Sequence, residues 1–222
     1  MRCRADECIC TVNQSRKGLT PSRDIRRVVT GHDETGRAIV LSDGAPPHVT
    51  RPPQQPGLAF HEVWNTRACP APVTATEAEP TDLHRDTAPP RNGTIIRVVD
   101  IPPEGHDGPG FDKETARALF EKVGLTKNAE HTIPGRHPLM HRTESIDYGI
   151  VLQGQIVLLL DDEEVVLEAG DVVVQRGTIH AWTNRTDQTT RILFILADGA
   201  FDPGLARKQA EHDARVKAAA AT

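Results

Sequence analysis

The stretch between Gly135 and Asn184 decides the fold of this 222-residue chain. It begins with GRHPLMHRTESIDYGIVLQG at residues 135–154 and ends with EAGDVVVQRGTIHAWTN at residues 168–184. Short apolar runs alternate here with turns rich in glycine and aspartate. The runs are Tyr148–Leu152, Gln155–Leu160, Val165–Leu167, Asp171–Gln175 and Thr190–Ala197. This close, regular spacing of short strands predicts an all-β sandwich or small barrel.

Strand alternation brings five side chains of this stretch towards one interior. In an extended segment, every second side chain points to the same face. His141, Thr143 and Asp147 therefore share one face of the first segment. His180 and Trp182 share one face of the second segment by the same rule. Two imidazoles and one carboxylate make a 2-His-1-carboxylate set, which suits Fe(II) and leaves coordination positions open. Mn, Ni and Zn accept the same ligand types, so the residues leave the choice of metal open.

Both ends of the stretch resemble the two sequence motifs of the cupin superfamily. The first motif joins a glycine to a His-x-His pair, a carboxylate and a second glycine. The corresponding residues here are Gly135, His141, Thr143, Asp147 and Gly154. The second motif joins a glycine to Pro-x-Gly-x-x-His and a final asparagine. Its counterparts here are Gly170, Gln175, Gly177, His180 and Asn184.

Three positions depart from the family pattern. Thr143 stands where the family has its second histidine, Asp147 where it has a glutamate, and Gln175 where it has a proline. The resemblance covers about residues 131–198. It implies a cupin-type double-stranded β-helix, that is, a jelly-roll barrel, with an N-terminal strand-containing extension and one or two peripheral helices. It also implies that His141, Asp147 and His180 are the metal ligands.

Cupins include dioxygenases, decarboxylases, isomerases and dehydratases, so the fold alone does not choose a reaction. The ligand set favours an Fe(II)-dependent dioxygenase acting on a small aromatic, keto-acid or hydroxy-acid substrate. A non-oxidative lyase, with the metal as a Lewis acid, is the first alternative. A non-catalytic barrel that binds a small molecule is the second.

Four residues receive roles beside the metal. Trp182 offers a flat wall to an aromatic or unsaturated substrate, and Arg142 can bind a substrate carboxylate bidentately. Thr143 would shape the pocket wall, contact the substrate and take part in catalysis. A pocket histidine or Glu144 would carry protons in the lyase reaction, although strand alternation points Glu144 away from the interior. His131 and His137 are outside candidates for a missing third imidazole.

The chain divides into five parts by composition. Residues 1–22 read as a disordered leader, residues 23–110 as an N-terminal β extension, and residues 111–130 as a helix with a linker. Residues 131–200 form the predicted barrel, and residues 201–222 a helical or frayed tail. The extension either completes the barrel, as a degenerate cupin-like half, or forms a separate lobe, and the sequence leaves both readings open.

Several elements are predicted before the barrel. The strands are Arg26–Thr30, Arg37–Leu41, Leu58–Thr66 and Thr94–Asp100. Five prolines in Gly44–Gly57 predict an irregular loop. Asp112–Val123 reads as a helix that Asp112 caps.

Charge and hydropathy narrow the partners to small molecules. The net charge of −5 and the lack of a basic run argue against nucleic acid. No apolar run approaches the roughly 20 residues of a membrane span, and no signal sequence is evident, so a cytoplasmic location is expected. The resemblance to cupins, which often pair through sheet edges, implies a homodimer. Cys3, Cys8 and Cys10 crowd the N-terminus without the spacing of a zinc site.

Overall fold

Strands dominate the computed structural model, which describes residues 23–53, 55–104, 112–125 and 137–219. The strands are β1 (Arg27–His32), β2 (Ala38–Gly44), β3 (His48–Thr50), β4 (Ala59–Thr66), β5 (Thr94–Ile101), β6 (Ser145–Gln153), β7 (Gln155–Leu159), β8 (Glu164–Glu168), β9 (Val172–Arg176), β10 (Ala181–Thr183) and β11 (Thr190–Asp198). Two α-helices, α1 (Lys113–Lys122) and α2 (Pro203–Ala219), and a short 3-10 helix at Pro80–Asp82 accompany them. The predicted leader, with Cys3, Cys8 and Cys10, and His131 lie outside the described residues.

Two antiparallel sheets enclose the core. One has six strands in the order β3-β4-β5-β11-β6-β9, and the other has three in the order β10-β7-β8. Val99 and Ile192 of the large sheet belong to the same buried cluster as Ile156 and Leu158 of the small sheet. Because apolar side chains of both sheets meet between them, the all-β jelly-roll barrel predicted from the sequence is confirmed.

The N-terminal strands complete the barrel sheet. β4 pairs with β5, and β5 pairs along its whole length with β11, which in turn pairs with β6. Strands β3, β4 and β5 of the N-terminal part therefore lie in one sheet with β6, β9 and β11. The β1–β2 hairpin forms a separate two-stranded sheet. The loop predicted at Gly44–Gly57 is wrong in one respect, because β3 lies within it and pairs with β4.

β6 aims the site residues inward. Along this strand Ser145, Asp147 and Val151 are buried, whereas Ile146 and Tyr148 are exposed. The strand ends at Gln153, just before Gly154, whose φ of 82° is a left-handed conformation that favours glycine. The period of two thus places polar side chains inside a barrel whose outer face carries apolar ones.

Helix α1 lies between β5 and β6 in the sequence, and helix α2 follows β11. Asp112 caps α1 through a 2.7 Å hydrogen bond from the Thr115 N–H, as the sequence predicts, and α1 buries Leu119 and Phe120 against the core. The C-terminal tail is helical as α2, which has no fully buried residue. Within the described residues, neither helix has the length and apolar content that crossing a membrane requires.

Candidate functional site

A largely apolar cavity of about 130 Å³ lies inside the barrel. Both sheets and helix α1 contribute to its wall, which includes Val99, Leu119, Phe120, Trp182, Phe194 and Leu196. Its polar side chains include His141, Thr143, Asp147, Gln175 and His180. A mainly apolar enclosure with a few polar groups is the usual form of a small-molecule site.

His141 and His180 lie side by side on neighbouring backbones. The backbone N–H of each residue donates to the backbone carbonyl oxygen of the other, both at 2.8 Å. Their imidazole ring centroids are 4.4 Å apart. His141 Nδ1 lies 2.8 Å from the Leu139 carbonyl, and His180 Nδ1 lies 3.0 Å from the Thr178 carbonyl. Because a carbonyl oxygen only accepts, each Nδ1 carries the proton and each Nε2 keeps its lone pair.

Burial keeps both imidazoles neutral. Loss of solvation lowers the pKa of His141, and lowers that of His180 well below its usual value, with His141 adding charge repulsion. Hydrogen bonds to Leu139 and Thr178 carbonyls oppose this effect only partly. Neutral imidazole is the form that can bind a metal ion or accept a proton.

The carboxyl group of Asp147 ends a chain of short hydrogen bonds. Thr143 Oγ1 lies 2.6 Å from Ser145 Oγ, which donates to Asp147 Oδ1 at 2.6 Å. Burial raises the pKa of Asp147 to about 6, and hydrogen bonds from Ser145, Gln175 and Thr143 offset part of that rise. Thr143 and Ser145 thus fix the orientation of the carboxyl group.

Gln175 stands between Asp147 and His180, and sequence reasoning gave it no role. Its Nε2 is 3.0 Å from Asp147 Oδ2 and 3.1 Å from His180 Nε2. Its Oε1 is buried and has no hydrogen-bond partner. The strand pairing explains the position, because Gln175 of β9 lies directly opposite Asp147 of β6.

Aromatic rings surround the imidazole pair. Trp182 packs edge-on against Phe194, with centroids 5.4 Å apart, and lies 6.1 Å from His180. Phe120 of α1 approaches His141 at 5.8 Å. The rings form flat apolar surfaces next to the polar cluster.

The family follows from sequence matches that span this site. Residues 129–196 match the family described as the cupin domain. Over 182 residues the chain is 32% identical to phomopsin biosynthesis cluster protein C' of Diaporthe leptostromiformis, and the match covers 78% of each protein. The chain belongs to the cupin superfamily.

Two further likenesses accompany that match. This cupin is 29% identical over 181 residues to a cupin-domain-containing oxidoreductase of Aspergillus ruber, covering 80% of this chain and 73% of that protein. The crystal structure of a putative ethanolamine utilization protein Q from Salmonella typhimurium shares 9% identity with a TM-score of 0.36, over 80% of this chain and 98% of that one.

An ion pair inside the cupin barrel was also missed from the sequence. Arg97, 3% exposed, lines the cavity and bonds to Glu62 at 3.0 Å, with further hydrogen bonds to Thr87 Oγ1 and the Asp86 carbonyl. Its guanidinium also lies 5.9 Å from the centre of the Phe60 ring. Within β5, the alternation that buries Ile95 and Val99 is the signal that could have found Arg97.

Two predicted site residues lie away from the cavity. Arg142 forms an ion pair with Asp213 of α2 and lines a surface pocket, so the structure does not support its expected contact with substrate. Glu144 is exposed, and its Oε1 accepts a 2.6 Å hydrogen bond from the Phe201 N–H. Glu144 therefore does not reach the cavity, where the expected proton transfer would take place. His137 lies 3.3 Å from Glu104, outside the cavity lining.

The donors of a metal centre are present, but they are not gathered around one point. In the described ranges, no group of three or more His, Cys, Asp or Glu side chains is arranged to hold a metal ion. The donor chemistry nonetheless fits, because His141 and His180 both keep the Nε2 lone pair and Asp147 supplies a carboxyl group. The amide of Gln175 occupies the position between two of these donors.

Proposed function

We propose that this cupin is a metal-dependent oxidoreductase that transforms a small, largely apolar organic molecule inside the barrel. The observation that carries the proposal is the apolar cavity with two neutral imidazoles and a buried carboxyl group on its wall. Similarity to a cupin-domain-containing oxidoreductase supports the reaction class. Similarity to a protein of the phomopsin biosynthesis cluster supports a role in biosynthesis.

The wall of the cavity favours an aromatic or unsaturated substrate. Trp182 and Phe194 present flat rings beside His180, and rings of this kind pack well on planar ligands. In the described part of the chain, Arg97 is the one arginine or lysine that lines the cavity, and Glu62 already neutralises it. A phenol, ketone or hydroxy compound therefore fits this wall better than a substrate with several carboxylates, although one keto-acid or hydroxy-acid group remains compatible.

His141, His180 and Asp147 are the residues that would hold the metal. Fe(II) suits this donor set, and Mn, Ni and Zn share it. When bound, Fe(II) would supply redox chemistry with dioxygen. Asp147 is one methylene shorter than the glutamate of the cupin pattern, and its hydrogen bonds to Ser145 and Gln175 hold it at a fixed orientation.

The chain itself supplies orientation and exclusion of water. Carbonyl oxygens of Leu139 and Thr178 hold both imidazoles in one tautomer, which is how residues behind a ligand commonly fix it. Phe120 and Trp182 exclude water from the neighbourhood of the rings. Electrostatic interactions become stronger in such a dry pocket, which benefits any reaction that develops charge there.

Metal content and oxygen uptake test the proposal together. The protein would be purified without a histidine tag, and its metals measured by mass spectrometry beside a His141→Ala/His180→Ala variant. The exposed His32→Ala variant on the β1–β2 hairpin is the matched control. We expect about one equivalent of metal in the wild type and the control, and loss of it in the double variant. Phenols and aromatic ketones would then be screened with an oxygen electrode.

Absence of metal from every protein, even after anaerobic loading with Fe(II), would overturn the metal-dependent part of the proposal. Product formation without oxygen uptake would replace the oxidoreductase by the second candidate, a non-oxidative lyase that decarboxylates or dehydrates its substrate. The hydrogen-bonded series from Thr143 through Ser145 to Asp147 favours that candidate, because it offers a path for protons next to the cavity. The homodimer and the cytoplasmic location stay predictions.

A further inference from the structure

The amide group of Gln175 holds two of the proposed metal donors at once. Its nitrogen is 3.0 Å from Asp147 Oδ2 and 3.1 Å from His180 Nε2. A primary amide nitrogen carries two hydrogens, so it can donate to both atoms simultaneously. All three side chains are buried, with exposed fractions of 3–5%.

These contacts use the electron pairs that a metal ion would need. The proton of His180 is on Nδ1, next to the Thr178 carbonyl, so its Nε2 has a single lone pair. That lone pair can accept the Gln175 hydrogen bond or bind a cation, but it cannot do both. Asp147 has more acceptor capacity, yet Ser145 and Gln175 already occupy one position on each of its oxygens.

We propose that the Gln175 amide competes with a divalent metal ion for His180 and Asp147 and thereby sets the metal affinity of the site. The inference rests on the proposed function, because it assigns these two residues as metal ligands. Metal binding then requires the amide to leave its present place. Gln175 acts as a positioning residue, since it affects the metal through His180 and Asp147.

The other end of the same amide indicates that this arrangement can be displaced. Gln175 Oε1 is buried without a hydrogen-bond partner, and such an atom costs free energy. Moving the amide away from His180 and Asp147 therefore forfeits no hydrogen bond at its oxygen. The position of Gln175 opposite Asp147 in the β6–β9 pairing makes this contact a property of the fold rather than of a mobile loop.

Binding of Co(II) to the metal-free protein provides the test. Co(II) would be titrated calorimetrically and by visible absorption into wild type, Gln175→Ala and Gln175→Ser, after circular dichroism has shown that each variant is folded. The exposed Gln153→Ala variant of β6 is the matched control. We expect both Gln175 variants to bind Co(II) about 10- to 100-fold more tightly than wild type, the range that corresponds to loss of one hydrogen bond to a charged group.

Two double variants identify the ligands. Adding Asp147→Asn or His180→Ala to Gln175→Ala should abolish the gain in Co(II) affinity, because each removes a metal ligand that the amide had blocked. Equal affinity of wild type and Gln175→Ala would overturn the inference while leaving metal dependence intact. Weaker binding by Gln175→Ala would also overturn it, by making Gln175 a ligand itself. Failure of every protein to bind Co(II) would overturn both this inference and the metal-dependent function.

Discussion

Replacing Asp147 by asparagine should stabilise the metal-free protein increasingly as the pH rises. The Asp147 side chain is 5% exposed, and burial raises its pKa from 3.8 to about 6. An acid whose pKa is higher in the folded state binds its proton more tightly there. Its contribution to stability is therefore full below pH 3.8 and is lost as the pH rises through about 6.

The size of the effect follows from the two pKa values. At about 1.4 kcal/mol per pKa unit, keeping Asp147 ionised in its buried position costs about 3 kcal/mol near pH 7.5. Near pH 4.5 the carboxyl group is still largely protonated in the folded state, and the cost is only about 1 kcal/mol. Asparagine does not ionise, so the difference between the Asp147→Asn variant and wild type should grow by about 2 kcal/mol across this range.

Urea unfolding at four pH values between about 4.5 and 7.5, with a chelator present, measures this difference directly. His141 and His180 have lowered pKa values, so their contribution is present above about pH 6.5 and is lost as the pH falls. That contribution is common to both proteins and cancels to a first approximation. Asp162→Asn, at an exposed carboxylate, is the control and should track the wild type at every pH.

A difference that stays constant across the range would refute the reasoning, whatever its absolute size. It would mean that the folded and unfolded proteins ionise Asp147 alike, and hence that the site is wetter than its burial indicates. A difference that shrinks with rising pH would reverse the sign and would point to a hydrogen-bonded carboxylate, stabilised more by its donors than it is destabilised by burial.

Three further outcomes follow from the same packing. In Trp64→Phe, the one remaining tryptophan is Trp182, and binding of a small phenol in the cavity should change its fluorescence, whereas Trp182→Phe should show no change. Met140→Ala should lose about 2–5 kcal/mol of stability, because Met140 is fully buried in the smaller core cluster. Arg97→Met and Glu62→Leu should each lose about 3–5 kcal/mol, and the double variant less than either, since breaking a buried ion pair leaves an unpaired charge.

A specific result would contradict each of these predictions. Equal fluorescence responses of the two tryptophan variants would place the ligand outside the cavity. Leu83, which is 61% exposed, supplies the control for Met140, and Leu83→Ala should leave stability nearly unchanged. If the Arg97/Glu62 double variant lost as much stability as the two single losses together, the two side chains would not interact energetically.

The sequence was sufficient for elements defined by local pattern. Alternation placed Thr143, just before β6, and Asp147, within it, on the same face of the extended segment, and both line the cavity. The capping residue Asp112 marked the start of α1, and Gly154 marked the end of β6. These features depend on neighbours within a few residues, which is the range over which a period or a cap can be read.

What the sequence could not supply depends on pairing between distant strands. The opposition of Gln175 to Asp147 requires the register of β6 against β9, and nothing local specifies it. The same holds for β3, a three-residue strand among prolines that exists because β4 offers it a partner. Arg142 and Glu144 were misplaced because helix α2 and the segment before it provide their partners, Asp213 and the Phe201 N–H.

The place of β11 has a consequence for the synthesis of the protein. Among the strands of the described residues β11 comes last in the sequence, yet it lies inside the large sheet, between β5 and β6. Until Thr190–Asp198 has left the ribosome, the facing edges of β5 and β6 lack their partner, and unpaired apolar strand edges invite association with other chains. The nascent protein should therefore need protection until β11 has been made, and a chain that stopped before Thr190 should aggregate rather than fold as a smaller barrel.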